Sequence, residues 1–181
     1  MFLTLDEKWR IWTPLEEMDP ALVRATICYE DRYFYFHPGV NPFSVLRAVI
    51  QNIRARRIVS GASTISMQLA RILHPKPRTV MSKIREAYRA IQMEVRLGKK
   101  SILTLYMNRA PYGGNIEGIA AASWAYFHKP PKQLRPEEIA YLVSLPQAPS
   151  QRHPVTGKQE WAVRARNRVL KKMQQCGIIS P

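Results

Sequence analysis

The chain has 181 residues, 46% hydrophobic and 23% charged, with 28 Lys and Arg against 13 Asp and Glu for a net charge of +15. This composition excludes a disordered chain, and the length suits one domain around a single hydrophobic core. The positive excess predicts an anionic partner: nucleic acid, an acidic membrane surface or a phosphorylated substrate.

Residues Met1 to Arg10 include Asp6, Glu7, Lys8 and Arg10 and have no apolar h-region, so they do not read as a signal peptide. No uncharged apolar run reaches the roughly 18 residues that a spanning helix needs, and an anchor, if the native protein has one, is expected to be absent here. Cys28 and Cys176 lie far apart in helical patterns, lack metal-ligand spacing, and are expected as two buried free thiols.

In chain order, Asp19-Pro20 is an N-cap followed by proline at the first helical position. The helix then runs to Glu30, near its C-terminal end. There the macrodipole disfavours a further negative charge, and the neighbouring rings of Tyr33, Phe34, Tyr35 and Phe36 favour the neutral acid. Glu30 is therefore the first candidate for acid–base work.

Beyond Pro38-Gly39, Phe43, Leu46, Ile50 and Ile53 share one helical face while Arg47, Gln51 and Arg54 lie elsewhere, with Arg56-Arg57 following. This basic amphipathic stretch reads first as a surface helix packed on the core and second as a membrane-surface contact.

Gly61 to Thr64 opens a helix from Ile65 to Leu73, with Ser63 or Thr64 as cap. Gln68 and Arg71 lie on its polar side, and Ile65, Leu69 and Ile72 on its buried side. After the basic, proline-broken loop His74 to Arg78, a long helix is predicted from Thr79 to Leu97, ended by Gly98. Val80, Ile84, Ala87, Ile91 and Val95 are its expected core stripe, with Lys83, Arg85, Glu86 and Arg89 on other faces.

A helix from Lys99 to Asn108 leads to Arg109-Ala110-Pro111-Tyr112-Gly113-Gly114-Asn115, whose glycines predict positive φ and close backbone approach. Helices are then expected over Ile116–Phe127 and Ile139–Leu145. Pro146–Pro154 reads as a polar, proline-rich loop, followed by a basic helix from Lys158 to Gln175. No convincing alternating strand occurs, so the fold class is mainly α.

Two carboxylates on separate elements, Glu30 and Glu86, accompanied by Gln68, Arg71, Arg78, Lys83 and Arg85, suggest sugar chemistry beside an anionic group. Paired carboxylates are the minimal equipment for glycosyl transfer or hydrolysis. The excess of Arg and Lys points to a phosphate leaving group.

The motifs Glu30-Asp31-x-x-Phe34-x-x-His37-x-Gly39, Gly61-x-Ser63-Thr64-Ile65-x-x-Gln68-Leu69-x-Arg71, Lys83-x-x-Glu86 and Lys99-x-x-Ile102-Leu103-x-x-Tyr106-Met107-Asn108 occur in that order. Together they resemble the motif set of the family 51 glycosyltransferases, the peptidoglycan glycosyltransferase domains of class A penicillin-binding proteins and monofunctional transglycosylases. The stretches Asn108–Gly118 and Leu145–Ser150 extend that resemblance over nearly the whole chain.

The resemblance implies a lysozyme-like, mainly helical fold: one domain over 1–181, with a large head lobe and a smaller membrane-facing jaw lobe at roughly 40–60. By position, Glu30 matches the family's general base and Glu86 its second essential glutamate. Arg71, Arg78, Lys83 and Arg85 match the basic residues around the donor's pyrophosphate. Ser63, Thr64 and Gln68 match the substrate-contacting motif and Asn108 the fourth motif; Asp31, next to Glu30, is expected to support the site as a substrate-binding residue.

The implied reaction joins lipid II units into β-1,4-linked glycan with inversion at MurNAc C1 and release of undecaprenyl pyrophosphate. No obligatory cofactor is implied; a divalent cation, Mg2+ or Mn2+, is an optional expectation, with Glu86 the carboxylate to hold it. The expected partners are lipid II, the growing glycan, an anionic membrane surface and other cell-wall synthesis proteins, with no nucleic acid. The expected place is the outer, periplasmic face of the cytoplasmic membrane.

The chain departs from the family pattern at Ser82 and Ala165, where members often carry Arg, and at Arg71, which stands where the second motif has Lys. No Ser-x-x-Lys occurs, so no transpeptidase is expected in this chain. The rival readings are a lytic transglycosylase or lysozyme-like hydrolase, for which a basic cluster has no use, and a non-enzymatic basic helical binding module.

Overall fold

A computed structural model describes residues 2–3, 7–55, 63–149, 151–152 and 159–180. The Arg56-Arg57 pair, Gly61, Ser150, Pro154 and Lys158, all named from the sequence, lie outside them. The chain is mostly helical, in the order β1 (Phe2–Leu3), β2 (Trp9–Arg10), α1 (Pro20–Glu30), α2 (Pro42–Ala55), α3 (Ile65–Leu73), α4 (Val80–Arg109), β3 (Pro111–Gly113), β4 (Ile116–Glu117), α5 (Ile119–Phe127), α6 (Pro136–Ser144) and α7 (Gln159–Gln175). None of the described helices is long and apolar enough to cross a membrane.

The residues gather into two compact units, one formed by 1–32 with 104–181 and the other by 33–103. In the first unit, α1, α6 and α7 pack on one another around Leu22, Ala25, Ile139, Leu142, Val169 and Met173. The signals of α1 act as the sequence predicts: Pro20 occupies the first turn, and Asp19 Oδ1 accepts from the Ala21 amide at 2.6 Å.

A small sheet in the order β1-β2-β4-β3 replaces the strand-free reading of the sequence. Its strands are two or three residues long, too short for any alternation to show. Positive φ at Gly113 (113°) and Gly114 (54°) turns the chain between antiparallel β3 and β4, so these glycines serve a hairpin and α5 begins only at Ile119. Arg10 closes the sheet by donating to Glu117 Oε2 through Nε (2.8 Å) and Nη2 (2.6 Å).

The free-thiol expectation is overturned, because Cys28 and Cys176 form a disulfide with their Cα atoms 6.6 Å apart. It ties the last turn of α1 to the residue after α7. Their sequence separation of 148 hid the pair from any local spacing argument.

In the second unit, Phe34, Ile65, Leu69, Ala90, Ile102 and Leu103 are buried. Thr64 is the cap of α3, accepting from the Met67 amide at 3.1 Å. Gly98, at φ 72°, breaks α4 where the sequence places a helix end.

The expected core stripe of α4 is corrected. Val80, Ile84, Ile91 and Val95 are exposed, Val80 and Val95 by more than 80%. The opposite side of the helix, with Ser82, Glu86, Ala90 and Glu94, is the one turned inward. Periodicity locates an apolar face but not what it meets. Close backbone approach decided the packing, since a Cβ on Gly39 would lie 2.8 Å from the carbonyl carbon and oxygen of Ala90. The apolar face of α2 is likewise exposed at Phe43, Leu46, Ile50 and Ile53, against the first reading of a helix packed on the core.

Candidate functional site

In the first unit, Glu30 is the last residue of α1 and is partly buried. Its Oε1 accepts from Gln147 Nε2 at 3.1 Å, and Gln147 Oε1 accepts from the Tyr29 hydroxyl at 3.3 Å. Gln147 ends the 3-10 turn Leu145–Gln147 that follows α6. Burial raises the pKa of Tyr29 above its ordinary value, opposed by the nearby charges of Arg152 and Arg168.

Tyr112, on β3, is buried, and burial with the charge of Glu30 holds its hydroxyl neutral far above the usual range. Glu30 thus stands at a helix end among two neutral phenols and an amide that donates to it. A hydrogen bond to a carboxylate favours its charged form, which suits a proton acceptor.

Asp31 is buried and its amide caps α1 through the Ile27 carbonyl. Asn108 is buried as well. It accepts from the Thr13 amide at 2.9 Å and donates to the Thr13 carbonyl at 2.8 Å and the Thr104 carbonyl at 2.9 Å, fastening the N-terminal segment to the end of α4. Its observed partners are therefore backbone groups of its own unit.

In the second unit, Glu86 shares a small recess with Ala70, His74, Lys76, Ser82, Arg85 and Arg89. Arg85 is the sequence-derived partner that this recess brings to Glu86; Lys76, Arg89 and His74 join it. Arg71 is half-buried near the end of α3, while Arg78 and Lys83 are exposed. Ser82 is buried and paired with Thr79, whose Oγ1 donates to Ser82 Oγ at 3.0 Å and accepts from the Ser82 amide at 3.1 Å. The serine at the family's arginine position thus completes the start of α4. Ala165, the second departure, is buried on α7.

One carboxylate and one imidazole among three cations make a poor divalent-metal donor set, because such ions take several oxygen ligands. Among the described residues no group of three metal-ligating side chains gathers. The chemistry of the recess is that of an anion site.

Thr64 and Gln68 are buried, and Ser63 is half-buried. The Thr64 hydroxyl donates to the Gly39 carbonyl at 2.5 Å besides capping α3. Gln68 is enclosed rather than on a solvent-facing polar side, because α3 is buried from Ile65 to Ala70.

The remaining motif residues form one scaffold. Lys99 Nζ donates to the His37 carbonyl at 2.6 Å and to Glu94 Oε1 at 2.7 Å, and lies 4.4 Å from the centre of the Phe34 ring. Ser66 also donates to Glu94 Oε1, at 2.5 Å, and the Gly39 amide donates to His37 Nδ1 at 3.2 Å. These contacts hold the loop after Glu30 against α3 and α4.

Gln147, Tyr29, His74 and Lys76 are the site residues that sequence reasoning did not single out. Gln147 lies 117 positions from Glu30, so no local signal could pair them. Lys76 had a signal in the basic, proline-broken loop.

Comparison with known proteins supplies the family. A family model described as a transglycosylase matches residues 1–174. Penicillin-binding protein 1C of Escherichia coli is 49% identical over 182 positions, covering 99% of this chain and 23% of that protein. Penicillin-binding protein 1A of Aquifex aeolicus is 38% identical, over 100% of this chain and 25% of its own length, and penicillin-binding protein 1A of Escherichia coli is 41% identical, over 96% and 20%. The chain thus spans about a quarter of the length of these curated relatives. Matched by the family model over almost its whole length, and carrying the ordered motifs read from its sequence, the chain belongs to the family 51 transglycosylases.

Proposed function

We propose that the chain is a peptidoglycan glycosyltransferase that polymerises lipid II. The observation that carries this reading is the recess holding Glu86 among Lys76, Arg85 and Arg89. Cleavage of a neutral glycan has no use for such a cluster, whereas departure of a lipid diphosphate does.

In the proposed reaction Glu30, ionised, takes the proton from the 4-hydroxyl of the GlcNAc of acceptor lipid II. That oxygen attacks C1 of the MurNAc at the reducing end of the donor chain. The C1–O bond to the diphosphate breaks as the new bond forms, with inversion from α to β. The electron pair leaves with undecaprenyl pyrophosphate, whose charge Lys83, Arg85 and the other cations around Glu86 neutralise in place of a general acid. Glu86 orders those cations. A divalent cation, if one takes part, would enter with the diphosphate. Ser63, Thr64, Gln68, Arg71, Arg78 and Asn108 keep their assignment as substrate-binding or supporting residues.

Two observations support work at the outer face of the cytoplasmic membrane. Disulfides persist in oxidising compartments, and the Cys28–Cys176 bridge fits one. The exposed apolar face of α2, flanked by exposed Arg47 and Arg54, has the chemistry of a helix lying in an anionic interface.

The test is polymerisation of purified lipid II by wild type and by Glu30→Gln and Glu86→Gln. Glycan polymer with released lipid diphosphate is expected from wild type, and none from Glu30→Gln, with an unchanged circular dichroism spectrum. Full activity of Glu30→Gln, or shortening of intact sacculi without polymerisation, would overturn the reading.

A further inference from the structure

We infer that Gln147 is a positioning residue for Glu30, the last link of a one-way hydrogen-bond chain that runs from the Tyr29 hydroxyl through the Gln147 amide to the Glu30 carboxylate. The inference rests on the role just proposed for Glu30 and adds the device that holds that carboxylate in place.

The direction of the chain follows from donor and acceptor chemistry. The Arg152 guanidinium donates to the Ser144 carbonyl and places its charge near the Tyr29 hydroxyl. A carboxylate has acceptors and no donor, so the Gln147 NH2 is the end that must face Glu30 and its carbonyl oxygen the end left for Tyr29. The Tyr29 hydroxyl donates its proton to that oxygen, Gln147 Oε1, 3.3 Å away. With its carbonyl end so engaged, the amide presents Nε2 to Glu30 Oε1 at 3.1 Å. The flipped amide would set its oxygen against a carboxylate oxygen, a repulsive contact in place of a charge-assisted bond.

Each link, and the charge beside it, has an anchor. Arg152 is pinned on the end of α6, and its own carbonyl accepts from Tyr141 at 2.9 Å. Tyr29 is fixed by α1, and Gln147 by the turn in which the Ala148 amide donates to Leu145. Gln147 thereby fixes one oxygen of Glu30 in direction and favours its ionised form, as a base awaiting a hydroxyl proton requires. Among the described residues, Tyr112 lies beside Glu30, and Arg152 and Arg168 beside Tyr29.

Two near-isosteric changes isolate the device: Gln147→Met removes the donor to Glu30, and Tyr29→Phe removes the hydroxyl that orients the amide. Each is expected to lower kcat for lipid II polymerisation about tenfold with KM and melting temperature held, the loss of one charge-assisted hydrogen bond. The double variant should be no slower than Gln147→Met alone, because Tyr29 acts through Gln147. In 13C NMR titration of the labelled protein, the Glu30 carboxyl of Gln147→Met should titrate about half a pH unit to one pH unit higher than in wild type.

An unchanged Glu30 titration in Gln147→Met, or additive losses in the double variant, would overturn the inference. The NMR arm needs no turnover. A wild type that makes no polymer therefore sinks the proposed reaction, while the titration still decides whether Gln147 holds Glu30.

Discussion

Removing the Cys28–Cys176 bridge probes what joins the two ends of the first unit. The cysteines are 148 residues apart, and closing a loop of that length removes about 17 cal/mol/K from the unfolded chain, or about 5 kcal/mol at 25 °C. This is an upper value, because measured bridges deliver about 2–5 kcal/mol. At about 2–4 °C per kcal/mol for a chain of this size, reduction or the double change Cys28→Ser with Cys176→Ser should lower Tm by roughly 5–20 °C. Differential scanning calorimetry with and without dithiothreitol measures this, with thiol counting to confirm the redox state. The reductant should leave the double variant's Tm unchanged. Two free thiols in the native, unreduced protein, or a reduced form melting within about 1 °C of the oxidised one, would refute the reasoning.

Gly39→Ala should cost about 2–5 kcal/mol, since φ of 92° penalises a side chain and the new Cβ would meet the α4 backbone at Ala90; a thermal melt reads the loss. Tyr126 and Tyr141 should titrate near pH 12, Tyr126 raised by burial and Tyr141 by burial and then by the charge of Tyr126. Their native pKa values exceed the unfolded value of about 10, so the unfolded chain releases its protons first as pH rises. The stability they contribute is full below about pH 10 and lost as pH climbs toward about 12. Phenolate absorbance alongside chemical denaturation tests this, and denaturation midpoints that hold steady over that window would contradict it.

Much of the helical framework was legible because its signals are local. Asp19-Pro20, Thr64 and Gly98 each act through the backbone of their own turn, and the structure uses each as the sequence implied. The sheet was not legible, because two-residue strands carry no period and pair with residues far along the chain. The orientation of α4 was misread for a related reason. Its apolar spacing is real, but Gly39, Ala90 and the Lys99–Glu94 pair decided which face turned inward.

By itself, the sequence determined the mainly helical class and the family through its ordered motifs, and it singled out Glu30 and Glu86 as candidate carboxylates. It did so because residue type and spacing along the chain carry that information. Only the tertiary structure decided that Cys28 meets Cys176, that His74 and Lys76 join Arg85 at Glu86, and that Gln147 reaches Glu30. Those pairings depend on how α1, α6 and α7 pack and on how the chain from α3 folds back to α4, and no spacing along a single helix brings the partners together.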